Sequence, residues 1–356
     1  MIDIVGIDCC GCTTCHDICP KKAIKINHDE AGFLYPVINH SQCIKCNLCD
    51  KVCPILNISN EDHNIIRCVA GYSKDSELVQ GSTSGGISTT LSLAFLNKKG
   101  IVYGASYNSD FKKVSTIRVN QLNQLDKIKG SKYVQSDKRG IYELVRKDLE
   151  NKKDVLFTGT PCEIAAIKSY LKRDYENLFT CEIVCHGPTS PKALEKFVEY
   201  EEKLHKSLIT SFNMRYKQNG WGRTNTILRI GFCDRQIEIQ NLYETMIGKA
   251  FYYMPRESCY RCRFKINKSV ADITVGDFWG ADINSQYYNT NGTSIIFIHT
   301  KKGDEQIKKL RDFFYEEVNF DDAIVNNNSV VNSRMRKPES YQFCNNFKKN
   351  IELIDI

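Results

Sequence analysis

Seventeen cysteines stand among 356 residues, and eight of them fall into two runs of one design. Cys9, Cys12, Cys15 and Cys19 precede Pro20, and Cys43, Cys46, Cys49 and Cys53 precede Pro54. Each run reads Cys-x2-Cys-x2-Cys-x3-Cys-Pro. Three close thiolates of such a run grip one 4Fe–4S cube, and the fourth cysteine ligates the other cube. The spacing predicts one cluster on Cys9, Cys12, Cys15 and Cys53 and a second on Cys43, Cys46, Cys49 and Cys19. Zinc sites pair two Cys-x2-Cys halves, and neither they nor disulfides call for a triple with a trailing Cys-Pro, twice. Cys10 does not fit the pattern and reads as a bystander. The chemistry such runs supply is transfer of single electrons.

The elements that hold these residues follow from patterning. Residues 1–56 read as a small bacterial two-cluster ferredoxin module, with KKAIKINHDEAGFLYPVINH between the runs suited to a hairpin. The polar stretch 57–64 reads as a linker. From residue 65 strands and helices alternate: IIRCVAGYS, IVYGASY, KDVLFTGT and LFTCEIVCHG read as strands. ISTTLSLAFLNKKG, ended by Gly100, PCEIAAIKSYLKR and SPKALEKFVEYEEKLHK read as helices, the second opened by Pro161. Residues 208–240 read as antiparallel strands, with ILRIGF paired to RQIEIQ. The expected fold is therefore α+β: the ferredoxin module, then a mixed α/β domain over 65–305 with antiparallel additions, and a C-terminal extension over 306–356.

Bulk properties narrow the classes. Hydrophobic residues at 42% and charged residues at 26% describe an ordinary globular chain. The N-terminus lacks the basic and apolar stretches of a signal peptide, and no segment approaches the apolar length of a membrane span. Iron–sulfur ligands favour a reducing, low-oxygen interior, so a cytoplasmic location is expected. The net charge of +7 is uneven: residues 1–57 carry five Lys and six acids, the remainder 44 Lys or Arg and 36 acids. A basic body suits an anionic cofactor or an acidic electron carrier, and a mildly basic solvated surface reads equally well. No Lys/Arg block with interleaved aromatics supports nucleic-acid binding.

Further motifs lie downstream. Ser82, Thr83, Ser84, Gly85 and Gly86 sit between a strand and a helix start, where small residues let backbone N–H groups approach phosphate; a simple tight turn explains them equally. Cys162, in Gly159-Thr160-Pro161-Cys162-Glu163, stands in the first turn of a helix, which favours thiolate; it could be a ligand, a redox thiol or a buried small residue. Cys259 and Cys262 form a lone Cys-x2-Cys. With Cys162 and Cys185 they could hold a third 4Fe–4S cluster, while Cys181 reads as buried in its strand, and Cys68, Cys233 and Cys344 as ordinary. His186 could be a proton donor or a hydrogen-bonded structural residue. A radical S-adenosylmethionine site is excluded because Cys181-x3-Cys185 is followed at the required offset by Pro188, and no nucleophile elbow is present.

In this order the motifs resemble those of the coenzyme F-420 hydrogenase/dehydrogenase beta subunits, as a family, carrying an N-terminal ferredoxin module. The matching stretches are STSGGISTTLSLAFL, KGSKYVQS (129–136), VLFTGTPCEIAAIKSYL, CHGPTSP, SCYRCRFK, ADITVGDFWG and NGTSIIFIHTKKG. The resemblance implies an iron–sulfur flavoprotein oxidoreductase that binds FAD, with a 4Fe–4S cluster inside the flavin domain. It implies that Thr83, Ser84, Gly85, Gly86, Lys132, Tyr133 and Ser136 line the FAD site, with Gly159 and Thr160 near the isoalloxazine. Lys132 could meet pyrophosphate or be a solvated lysine, and Asp277 could fix the turn after the cysteine pair. Expected partners are a soluble ferredoxin or other electron-carrier protein and a small-molecule acceptor such as coenzyme F-420. The alternatives are a different organic substrate, such as a sugar or another biosynthetic intermediate, and a relay component of a larger dehydrogenase or hydrogenase.

Overall fold

The computed structural model describes residues 2–58 and 62–349, so part of the linker and the last residues of the C-terminal extension lie outside the described residues. In the N-terminal module each cysteine run ends in a short helix, α1 (Thr14–Ile18) and α2 (Leu48–Lys51). Between them β1 (Ile24–His28) and β2 (Leu34–Ile38) pair antiparallel in the register Ile24↔Ile38 to His28↔Leu34. The hairpin is closed by Asp29, whose carboxylate accepts the Phe33 N–H at 2.8 Å. One side of its tip is buried: Asp29 and Glu30 are exposed, while Ala31 and Phe33 lie in a core shared with Leu194 and Phe197 of the main body.

The body is built on strands β3 (Arg67–Ser73), β4 (Ile101–Tyr107), β5 (Val114–Val119), β6 (Val155–Gly159) and β7 (Leu178–Ile183). It continues with β8 (Ile209–Tyr216), β9 (Ile227–Phe232), β10 (Ile237–Asn241), β11 (Ile273–Asp277), β12 (Ser294–Ile298) and β13 (Phe313–Val318). The eight-stranded sheet runs β13-β3-β12-β11-β7-β6-β4-β5, and β8, β9 and β10 form a separate antiparallel sheet. Strands β4, β6, β7 and β11 are parallel; the flanks are antiparallel. Strands β5, β11, β12 and β13 are not foreseen from local patterning, and β13 adds residues beyond 305 to the main sheet. Central strands such as SIIFI are buried on both faces, which explains their unbroken apolar runs.

Helices cover both faces. A short α3 (Ser76–Gly81) leads to α4 (Ile87–Asn97), whose Ile87, Leu91 and Leu96 pack on one face with Val102, Leu156 and Ile296. On the other face lie α5 (Ile141–Glu150) and α6 (Pro161–Leu171), which bury Tyr142, Val145, Ile164 and Ile167 against Tyr103, Val155 and Phe157. The start of α6 is over-determined: Pro161 occupies its first turn, and Thr160 and Glu163 form a reciprocal capping box. Helices α7 (Pro191–His205) and α8 (Met246–Tyr253) pack with the small sheet, joined by Phe343 and Phe347 of the last helix. The chain continues through α9 (Lys301–Lys308), α10 (Phe320–Ile324) and α11 (Pro338–Lys348).

Candidate functional site

The two N-terminal runs fold into two separate cavities. One is lined by Cys9, Cys12, Cys15 and Cys53, with Cys10, Ile2, Leu34 and Ile55. The other is lined by Cys19, Cys43, Cys46 and Cys49, with Ile24, Ile38 and Ile44. The fourth cysteine of each run crosses to the other set, as its position before proline predicts. Backbone donors point at sulfur in both: Gly11 N–H to Cys9 at 3.4 Å and Ala23 N–H to Cys19 at 3.3 Å. Burial pushes the Cys53 thiol up to about 12 and the Cys15 thiol well above its ordinary value. Iron binding would expel those protons, and its positive charge would offset the buried thiolates. None of the seventeen cysteines is joined in a disulfide. Among the described residues no three Cys, His, Asp or Glu converge on a single-ion site.

The downstream cysteines arrive from three loops. Cys162 opens α6 at the carboxyl end of β6, and Cys185 follows β7, the neighbouring parallel strand. Cys259 and Cys262 lie in the 3-10 turn Glu257–Arg261 and just past it. These four thiols stand within electrostatic reach of one another. Gly187 (φ +98°) shapes the loop, because a Cβ there would sit 3.1 Å from the Cys259 sulfur, and its N–H donates to the Cys185 thiol at 3.3 Å. Cys181 is buried in β7 away from this set, as expected for a residue inside a strand.

Cys10 proves more than a bystander. It lines the first cavity beside Cys12 and stands within electrostatic reach of both Cys12 and Cys162, so it lies between the first N-terminal set and the downstream one. Cys10 is the main cause holding the Cys12 thiol down, to about 6, and it also lowers Cys162. Two buried cations share the junction. Lys138 pairs with Glu163 at 2.7 Å. Arg256 donates to the Cys9 carbonyl at 2.5 Å and to the Leu34 carbonyl at 2.9 Å. Neither residue carries a sequence motif; only long-range packing reveals them.

The residues expected to line a flavin site divide. Ser136 joins the Lys138–Glu163 network, its hydroxyl 3.2 Å from Glu163. Thr160 serves the helix cap, and its hydroxyl lies 3.4 Å from the Cys162 sulfur; Gly159 closes β6 beside it. Thr83 contacts the Ser131 hydroxyl at 3.1 Å, Ser84 donates to the Thr293 carbonyl at 2.8 Å, and Gly85 accepts from Ser73 N–H at 2.7 Å. Gly86 is the left-handed cap of α4. Lys132 is 7% exposed, and among the described residues its ammonium donates to the Lys129 and Gly130 carbonyls alone, at 2.6 and 3.1 Å. Burial lowers its pKa to about 7. Lys217, which sequence reasoning passed over, is also buried: it donates to the Val79 and Ser84 carbonyls at 2.8 Å each and to Asn291, and burial lowers it to about 7. The buried Tyr107 hydroxyl near Lys132 lacks a partner among the described residues. Two buried cations without a carboxylate contact and an orphaned hydroxyl around the 82–86 loop fit an anionic ligand.

Beside this loop, Tyr133 stacks on Phe251 at 4.4 Å, and its hydroxyl accepts from Arg215 at 2.9 Å. Arg215 pairs with Asp277 at 3.1 Å, and the Trp221 indole donates to the same carboxylate at 2.6 Å. Trp221 in turn stacks on Trp279 with centroids 5.0 Å apart. Asp277 therefore anchors a wall of aromatic and cationic side chains as well as the end of β11. His186 lies at the surface with its Nδ1 2.7 Å from the Ser329 hydroxyl. Packing on its inner side, together with Arg334 and Lys265, depresses its pKa to about 4, so the imidazole is neutral. Among the described residues no helix is long and apolar enough to cross a membrane.

Comparison with known proteins places this geometry. Residues 8–56 match a 4Fe–4S dicluster domain, and residues 152–322 match the C terminus of the coenzyme F420 hydrogenase/dehydrogenase beta subunit. The chain is 25% identical over 322 residues to one of the subunits of the F(420)H(2) dehydrogenase of Methanosarcina mazei, covering 85% of this chain and 82% of that one. The cysteine module alone is 34% identical over 61 residues to a polyferredoxin-like protein of Methanocaldococcus jannaschii, 15% of this chain and 36% of that one. The F420-reducing [NiFe] hydrogenase complex from Methanosarcina barkeri contains a chain of the same fold, with a TM-score of 0.52 at 19% identity, covering 83% of this chain and 94% of that one. The chain is thus an iron–sulfur electron-transfer protein related to the coenzyme F420 hydrogenase/dehydrogenase beta subunits: residues 152–322 carry the match to their C terminus, and residues 8–56 carry a 4Fe–4S dicluster domain.

Proposed function

We propose that this chain is an iron–sulfur flavoprotein oxidoreductase linking a low-potential one-electron donor, such as a soluble ferredoxin, to a two-electron acceptor such as coenzyme F-420. The observation that carries the reading is the gathering of Cys162, Cys185, Cys259 and Cys262 next to the first N-terminal set, across Cys10. These four thiols would hold a third 4Fe–4S cluster. Lys132 and the 82–86 loop would hold the phosphates of FAD, with Lys217, whose three donors already serve backbone carbonyls, adding its charge, and with Gly159 and Thr160 near the ring. Bound clusters supply one-electron exchange, and a bound flavin supplies the coupling of one-electron to two-electron chemistry.

The chain's own residues do the rest. Lys132 and Lys217 supply charge where water is excluded, which strengthens their pull on an anion. The Trp221, Trp279 and Arg215 wall, fixed by Asp277, orients what lies against it. The neutral imidazole of His186, bonded to Ser329, is the group we assign to hold a proton beside Cys185.

Anaerobic purification with iron and flavin quantitation tests the reading: about twelve irons and one FAD per chain are expected for three cubes. Eight irons remove the internal cluster, and absence of flavin removes the catalytic reading. A second reading has its own support, since the Methanosarcina mazei relative is one component of a dehydrogenase and the Methanosarcina barkeri chain is part of a complex. In that case the chain is a relay that turns over only with a partner. Reduction of coenzyme F-420 by the purified chain and reduced ferredoxin separates the two.

A further inference from the structure

Arg256 is 1% exposed, and its guanidinium is charged at any physiological pH. Its donors reach the Cys9 carbonyl at 2.5 Å, the Leu34 carbonyl at 2.9 Å and the Gln135 amide oxygen at 3.3 Å. The Tyr35 ring lies 4.0 Å away and the Phe33 ring 5.7 Å. Every one of these partners is neutral. A buried cation left without an anion is costly. Lys138, the other buried cation of the junction, has its carboxylate in Glu163; Arg256 meets none among the described residues. Arg256 instead ties the two cysteine loops together: its guanidinium donates to the Cys9 carbonyl, its own carbonyl accepts the Cys259 N–H at 2.9 Å, and its charge acts on both the Cys9 and the Cys259 thiols. The loop of the first run is shaped for this contact. Gly11 takes φ +68°, and a Cβ there would fall 2.8 Å from the guanidinium and 2.2 Å from the Gln135 amide.

We propose that Arg256 is the shared counter-cation of the Cys9 set and the internal Cys259 set, latching the N-terminal module to the body and making the first set, rather than the second, the one that faces the internal centre. The inference rests on the internal centre proposed above. Cys10 stands at the same junction, lining the first cavity within electrostatic reach of Cys12 and Cys162. The second set lines its own cavity beside Lys21 and Lys45, which Arg256 does not line.

The test uses the full-length protein purified without oxygen, as wild type, Arg256→Gln and Arg256→Lys. Iron is counted, and the centres are followed by EPR-monitored redox titration, with Cys46→Ser assigning the second-set signal. With about twelve irons retained, R256Q should lower the potentials of the first and internal sets and leave the second in place. Electron occupancy of the first set relative to the second should fall about tenfold, or 59 mV for one electron. R256K should recover most of the shift because the charge remains. Unmoved potentials in an iron-replete R256Q, or a shift confined to the second set, overturn the inference. Eight irons in the wild type overturn the internal centre beneath it, which is a different result. If R256Q does not load iron, Cys10→Ala carries the test: loss of the magnetic coupling between first and internal sets supports the junction, and unchanged coupling overturns it.

Discussion

Two runs of identical spacing end in opposite surroundings. In the first set Cys12, Cys15 and Cys53 are buried, under Tyr142, Gln135, Arg256 and the start of α6. In the second set Cys46 is exposed, Ile44 is 56% exposed, and Lys21, Lys45 and Lys51 stand in water beside it. Ligand spacing decides what is bound, and it is the same in both. The protein packed on each set decides what that set can exchange with, because exposure and hydrogen bonds to sulfur tune a cluster's potential. The pair therefore has an inside and an outside, although each set borrows its fourth ligand from the other run.

Several experiments break or sharpen this contrast. The largest effect is expected from Cys12→Ser set against Cys46→Ser. Each should cost about four irons, but only C12S should also open the docking surface, seen as faster hydrogen exchange in α5 and α6. Equal exchange in the two variants would end the claim of an inside and an outside. Next comes the order of decay: on titration with ferricyanide, the EPR signal of the second set should vanish severalfold sooner than that of the first. Simultaneous loss would mean that the burial around Cys12 gives no shielding. A smaller effect is expected from Tyr142→Phe. Its hydroxyl donates to the buried Cys12 carbonyl at 2.7 Å, and orphaning that carbonyl should cost about 1–3 kcal/mol in urea unfolding. The smallest is Asp17→Asn. Asp17 caps the start of α5 by accepting the Gly140 N–H at 2.9 Å, and losing its charge should cost about 0.3–1 kcal/mol.

Much of this was legible in the residues themselves. The cysteine runs name their clusters because all but one ligand of each set is local, and the exchange of the fourth is part of the pattern. The α6 start is legible because Thr160, Pro161 and Glu163 carry a helix signal within four residues. What stayed hidden depends on pairing across the chain. Arg256 meets Cys9 from 247 residues away, and nothing in MPRESC marks it as buried. Cys10 reads as superfluous in its own run because Cys162, which it neighbours electrostatically, belongs to another element. Strands β11 and β12 sit beside β7 and β3 by long-range register, which local alternation cannot report. Lys132 carries no sign in its own segment that Tyr107 and the 129–130 carbonyls enclose it.

The hairpin tip buried against α7 and the Arg256 contact with Cys9 also have a consequence for biosynthesis. Once residue 58 has left the ribosome, both cysteine runs are complete, yet the surface that covers Cys12 comes from residues as late as 256. At about 5–20 residues per second, roughly 200 further residues take on the order of ten to forty seconds to make. During that interval the first set is as open to water and to iron delivery as the second. The two sets therefore begin life equivalent, and the difference between them is acquired only when the body folds over one of them.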